Sequence, residues 1–223
     1  MRKIATVIVV AISLVTGVAA QDIHVGPYLL FKGGTNSGNI PEGTKTAANF
    51  NGIPDFGVTG RWMFDKNSAL GFLLDLGYST YSFRMRPESE SIANDDNTIV
   101  FKPSYFSLVP SFYFSGVTLG FAFGFPMAYS VQTVSGTEMS GQFLGDVQDL
   151  NGPSVEIRLG AIINAWKTET GTLGVVLQAG YMLTGTFKPE YFQPGEYFSN
   201  EENNPNIISA GIGLNYLFDL KNL

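Results

Sequence analysis

Few side chains in this chain are equipped for chemistry. There is one histidine, His24, and no cysteine. A Ser-His-acid hydrolase needs its histidine beside the nucleophile, so any such enzyme would have to be built around His24. The missing cysteines exclude a disulfide framework, a lipid-modified N-terminal cysteine and zinc sites of the cysteine type. The run KGGTNSG is Gly-rich but leads into no helix with a Lys-Ser/Thr pair, so it is not a phosphate loop. Two acidic groups, Glu88, Glu90, Asp95 and Asp96, then Glu190, Glu196, Glu201 and Glu202, match no calcium-loop spacing and read as solvated. Neither a metal site nor a cofactor is expected. The sharpest constellation is Arg61, Asp75, Glu156 and Arg158, charges set singly into otherwise apolar or glycine-rich segments. Charges so placed either line an ion-selective constriction or pair with one another inside the protein.

Which of these applies depends on the elements that carry them. The dominant signal is alternation of large apolar residues with small or polar ones, the pattern of strands with one lipid face and one polar face. Eight segments show it: 23–33, 54–64, 69–84, 99–114, 117–130, 153–166, 172–185 and 207–218. The cleanest sets Val117, Leu119, Phe121, Phe123, Phe125, Met127 and Tyr129 against Thr118, Gly120, Ala122, Gly124, Ala128 and Ser130. Between the segments, short connections (65–68, 115–116, 167–171) alternate strictly with long ones (about 34–53, 85–98, 131–152 and 186–206). Tight turns at one end and long loops at the other mark a membrane barrel. The expected fold is all-β, an eight-stranded antiparallel transmembrane β-barrel with both termini on the periplasmic side.

The face carrying the large apolar residues must point outward. An eight-stranded barrel is just wide enough for side chains to fill it, and the other face is rich in Gly, Ser and Thr. A soluble barrel would instead have to pack rows of aromatic rings inward from single strands, as with Phe121, Phe123, Phe125 and Tyr129. Aromatic residues also sort by depth. Trp62, Phe64, Phe112, Phe114, Tyr216 and Phe218 fall at the short-turn ends, and Phe31, Phe56, Tyr78, Tyr129 and Tyr181 at the long-loop ends, as two interfacial girdles should. In this frame His24 faces inward at the short-turn end, away from any outer rim. Asp75 and Arg158 come to similar heights in the lumen, with Glu156 one repeat above Arg158. The favoured reading is a structural ion network of Arg61, Asp75, Glu156 and Arg158 that fills the barrel.

The first twenty residues read as a signal peptide. Arg2 and Lys3 precede an apolar run, and Val18 and Ala20 suit the −3 and −1 positions of a cleavage site. The expected division is 1–20 signal peptide and 21–223 barrel domain. Beyond residue 20 the chain holds 11 basic and 19 acidic residues, which excludes a nucleic-acid footprint.

Three segments resemble a known family. The opening GPYLLFKGGTNSGNI resembles the start of the porin-family outer-membrane β-barrel domain common in Bacteroidota, small barrels of the OmpA/OmpX type, which tends to carry a GxNxS-like turn. YFSLVPSFYF resembles that family's YLEIPLLLKY segment through Tyr105, Leu108 and Pro110, with Ser107 where the family often has Glu. The closing GLNYLF resembles a membrane-insertion signal, Gly213 followed by Tyr216 and Phe218, although a tail from Asp219 to Leu223 follows. The resemblance implies a fold, a Gram-negative outer-membrane location and no catalytic residues. The expected partners are outer-membrane lipid and lipopolysaccharide, the barrel-insertion machinery and a surface ligand.

The expected function is therefore non-enzymatic, a structural or surface-binding role carried by the long outer loops. Tyr191, Phe192, Tyr197 and Phe198 form a candidate contact patch. The alternative is a narrow passive pore for ions or small solutes.

Overall fold

Residues that alternate bulky apolar with small polar side chains fold as strands when each face has its own solvent. The computed structural model describes residues 22–37, 40, 42–64, 69–139, 147–188 and 204–220. These form β1 (Asp22–Ser37), β2 (Thr44–Phe50), β3 (Asp55–Met63), β4 (Leu70–Thr80), β5 (Phe83–Pro87), β6 (Ile99–Phe114), β7 (Val117–Gln132), β8 (Ser154–Lys167), β9 (Gly171–Met182) and β10 (Asn206–Asp219). Eight of them, all but β2 and β5, form a ring of antiparallel neighbours. It closes between β1 and β10, from His24↔Asp219 to Ser37↔Asn206. Closure leaves no sheet edge around the ring, so the wall satisfies its own backbone hydrogen bonds, which a bilayer core requires.

The outer surface is the apolar face. On β7 the side chains of Val117, Leu119, Phe121, Phe125 and Met127 are all exposed. From Val117 to Met127 the strand takes ten steps, which at about 3.3 Å each and about 40° of tilt makes a band about 25 Å tall. Leu29, Phe56, Phe106, Leu159, Leu177 and Ile212 continue it around the ring. A surface of this kind is stable only against lipid. The protein is an eight-stranded transmembrane β-barrel.

The two ends differ. At one end β6 turns into β7 through Ser115 (φ 49°) and Gly116 (φ 90°), a two-residue turn whose positive φ angles match the strand twist. The chain entry at Asp22 and exit at Asp219 share this short-turn end.

The structure departs from the sequence-based expectation in two places. The stretches 34–53 and 85–98 are expected to be loops, yet the wall continues into them, through Ser37 and Thr44–Phe50 in the first and as far as Pro87 in the second. β2 and β5 pair with each other from Thr44↔Pro87 to Ala48↔Phe83. β2 joins β1 at Gly33↔Phe50, and β5 joins β6 at Phe83↔Phe101. The two therefore extend the second and third wall strands past the ends of β3 and β4. The interruptions have local causes. Pro54 lacks a ladder donor, and the Asp55 carboxylate accepts the backbone N–H of Thr80 at 2.8 Å in place of a strand carbonyl.

The second departure is a β-bulge. Tyr105 pairs with Pro126 and Ser104 with Ala128, so Met127 is an extra residue. Past a bulge the faces exchange. Tyr129, expected in the outer aromatic girdle, points into the lumen, where its ring packs 5.7 Å from that of Phe187.

Candidate functional site

A membrane barrel acts through its lumen or through its loops, and the lumen here is filled at three levels. At mid-height sits a buried charge network. Lys32, on the inner face of β1, places Nζ 2.7 Å from Asp55 Oδ2 and 3.6 Å from the centre of the Tyr81 ring. The two charges are 2% and 1% exposed. Ser79 Oγ donates to the same Asp55 oxygen at 2.6 Å. From the opposite wall, Arg158 donates through Nε to Glu156 Oε2 at 2.7 Å and through Nη2 to Ser79 Oγ at 3.1 Å and Tyr81 Oη at 3.0 Å. Tyr81 Oη and Ser209 Oγ donate to Glu156 at 2.6 and 2.9 Å. Two cations and two carboxylates thus form one connected set spanning the barrel from β1, β3 and β4 to β8 and β10. Buried charges persist where each has partners of this kind. Gly180 makes room for it, because a Cβ there would overlap the Glu156 carboxylate.

Toward the short-turn end lies a cavity of about 40 Å³ whose wall includes Tyr28, Thr59, Asp75, Arg158, Gln178 and Asn215. That volume suits two or three water molecules. Asp75 accepts a hydrogen bond from Thr59 Oγ1 at 2.6 Å. Below it, Leu73, Tyr113 and Ile162 pack with Met63 and Val176. Arg61 lies over the Tyr113 ring, 5.4 Å from its centre.

Toward the long-loop end the lumen is apolar. Phe83, Met85, Phe101, Tyr105, Val131, Leu150, Met182, Phe187 and Ile207 form one buried cluster. Phe83 stacks on Phe101 at 5.0 Å, and Phe187 meets Phe101 edge-on at 6.0 Å. Leu150 and Phe187 come from loop segments that bridge across the mouth. Asn204 fixes that bridge by accepting from the Phe187 N–H and donating to its carbonyl. The arrangement is a plug of rings above a charge network.

No protein-family model matches the sequence, and no curated protein matches it. Several solved structures are similar to the chain. The attachment invasion locus protein Ail of Yersinia pestis, solved with the heparin analogue sucrose octasulfate, is 12% identical, with 87% of this chain and 99% of that one covered and a TM-score of 0.36. The outer membrane protease OmpT from Escherichia coli is 12% identical over 90% of this chain and 98% of its own, TM-score 0.36. The outer membrane protein OprG from Pseudomonas aeruginosa is 12% identical over 86% and 96%, TM-score 0.32. These values say nothing of function.

Of the four charges singled out in the sequence, Glu156 and Arg158 meet directly. Asp75 shares a cavity with Arg158, and Thr59 is its hydrogen-bond partner. Arg61 stands apart, across the ladder from His24, whose Nε2 is 3.3 Å from Asp22 Oδ2. The strand alternation of 23–33 and 54–64 puts Lys32 on the face of His24 and Tyr28, and Asp55 on the face of Thr59 and Arg61, both inward, but the sequence pattern does not join them to the network or show Tyr81 and the aromatic plug. Their signal was alternation continued past the girdle: Tyr81, Phe83 and Met85 follow Ser79 at every second position. Gly213, Tyr216 and Phe218 lie on β10. The rings of Tyr216 and Phe218 are 4.8 Å apart, and the Tyr216 hydroxyl bonds those of Thr168 and Thr170 at 2.7 and 2.9 Å. In the β5–β6 loop, Asp95 accepts the Ser135 N–H at 2.8 Å, and hydrogen bonds from Ser135 hold its carboxyl below the usual carboxylate range. Tyr191, Phe192, Tyr197 and Phe198 lie outside the described residues, as do residues 1–20.

Proposed function

We propose that this chain is a small bacterial outer-membrane barrel that works by contact at its long-loop end, without enzymatic chemistry and without conducting. The closed lumen carries this reading: a ring plug, a paired charge network and an apolar floor follow one another along the axis. A lumen packed in this way is committed to holding the barrel together. The lipid face is committed to apolar contact. The long connections are the part left free for recognition, and loops of that length are commonly functional. In this reading residues 1–20 direct export, both mature termini are periplasmic, and the barrel is of the porin-family kind that its motifs resemble.

Purified protein in planar bilayers tests it. Wild type should give no steady unitary conductance; reproducible channel steps would establish the narrow-pore reading instead. Replacing 189–203 by a tight turn, with Asn204 kept to hold Phe187, should leave the barrel inserted and abolish adhesion of expressing cells to a coated surface. Unchanged adhesion would remove the contact role from that loop.

A further inference from the structure

Oxygen atoms from four separate strands line the cavity below the charge network, and they lack hydrogen-bond partners among the described residues. Asp75 on β4 accepts from Thr59 through Oδ1 and has Oδ2 to spare. Asn215 on β10 is 3% exposed, and its Oδ1 is buried without a partner. Tyr28 on β1 and Thr118 on β7 add a hydroxyl each. Three of these atoms rest over glycines. A Cβ on Gly77, Gly160 or Gly174 would overlap Tyr28 Oη, Thr118 Oγ1 or Asn215 Oδ1, in that order. The wall is thinned where the oxygens sit. Buried acceptors left unmatched cost free energy, so the cavity calls for an occupant.

Charge says which occupant. At this height Lys32 and Arg158 stand against Asp55, Glu156 and Asp75, and one carboxylate is in excess. Arg61 does not supply the missing charge. It lies over the Tyr113 ring in the floor, in the layer of His24, Asp22 and Asp219. A buried charge without a partner is costly. Water would satisfy the oxygens and leave the charge. An anion would double it, and hard divalent cations ordinarily take more than one carboxylate. A proton on Asp75 would balance the charge but reach only one of the oxygens. A single monovalent cation answers both needs. Arg158 shares the wall, but its Nε and Nη2 are turned to Glu156, Ser79 and Tyr81, and its charge is already in the balance. Gln178 Nε2, a buried donor without a partner, suits a water in the ion's shell. A volume of about 40 Å³ takes a cation the size of a water molecule together with one or two waters.

We infer that the cavity is a binding site for a small monovalent cation of sodium size, held by Asp75, Asn215, Tyr28 and Thr118. Each ligand comes from a different strand, so no local motif announces the site. It lies outside the contact role proposed above and gives the lumen a ligand of its own.

Refolding into detergent micelles tests the inference, because an ion enclosed in a filled lumen enters as the barrel forms. The protein is refolded and heated in sodium chloride, caesium chloride or choline chloride at equal ionic strength, and unfolding is followed by heat-dependent gel migration. Wild type should unfold about 2–4 °C higher in sodium than in choline. Caesium, too large to stand in for a water molecule, should behave as choline does. Asp75→Asn, neutral and nearly the same shape, should unfold at one temperature in all three salts. Where D75N does not fold, T118V should show a reduced sodium effect, and T168V, at the short-turn end, should keep the full effect. Equal wild-type midpoints in sodium and choline overturn the inference and leave a proton on Asp75 as the source of neutrality. A caesium effect as large as that of sodium overturns it as well, and so does a sodium effect that D75N retains. The midpoint difference reads the lumen alone, so a failure here leaves the contact role of the long-loop end standing.

Discussion

Lys32 and Asp55 are the residues whose loss the fold should feel most. Each is almost wholly buried, and removing one partner leaves the other as an uncompensated charge, a change that costs about 3–5 kcal/mol in buried pairs. Lys32→Met should therefore lower stability by about that amount in urea titrations of the micelle-bound barrel, and K32M/D55N should recover much of it. A Lys32→Met protein as stable as wild type would mean that water reaches Asp55. Asp75 provides the contrast. Its partner is Thr59, and it lines a cavity sized for water. Asp75→Asn keeps that hydrogen bond and should cost about 1 kcal/mol or less. The sequence made Asp75 as conspicuous as Glu156 because both are lone acids on a lumen face. It could not separate them, since strand tilt and stagger decide which residues meet across a barrel, and neither is written in the alternation of any single strand. That is also why Lys32 and Asp55 were legible as inward-facing but not as partners.

At the scale of the element, ring strands and short turns were readable because each depends on one local pattern: period two for the face, and Ser-Gly with positive φ for the tightest turn. The wall extension was not readable. β2, with Thr44, Lys45, Thr46, Ala47, Ala48 and Asn49, shows no alternation to separate it from loop, and it becomes a strand because β1 and β5 offer it edges. The bulge at Met127 was hidden for a different reason. Apolar residues run through it on both faces, so the exchange at Pro126 leaves no trace in hydropathy. This gives a sharp test. Deleting Met127 would restore uninterrupted pairing and leave Tyr129 and Val131 in the plug, because Tyr129 already stands opposite Pro103 and Val131 opposite Phe101. The deletion should yield a heat-modifiable barrel with an unfolding midpoint close to wild type. A midpoint clearly below wild type would show that the added twist of the bulge, and not the pairing alone, seats Tyr129 at the mouth.

At the scale of the whole molecule, orientation decides whether the proposed contact can be made. Contact by the long connections requires the long-loop end to face the cell exterior. The asymmetry of the barrel supports that direction. One end carries short connections, the start of β1 and the end of β10. The other carries the plug, the wall extension and the acidic loop tips. Outer-membrane barrels carry their short turns on the periplasmic side and their longer loops outside. The chain has no cysteine, so single cysteines report position without background. Ser89, exposed at the turn after β5, and Glu169, exposed at the turn between β8 and β9, mark the two ends. In intact cells a membrane-impermeant maleimide should label Ser89→Cys and leave Glu169→Cys unmodified until the outer membrane is opened. The reverse pattern would put the plug and the long connections on the periplasmic side and remove the proposed contact. Labelling of both sites in intact cells would show a barrel that is not membrane-inserted, in which case its apolar band must be covered by something other than lipid.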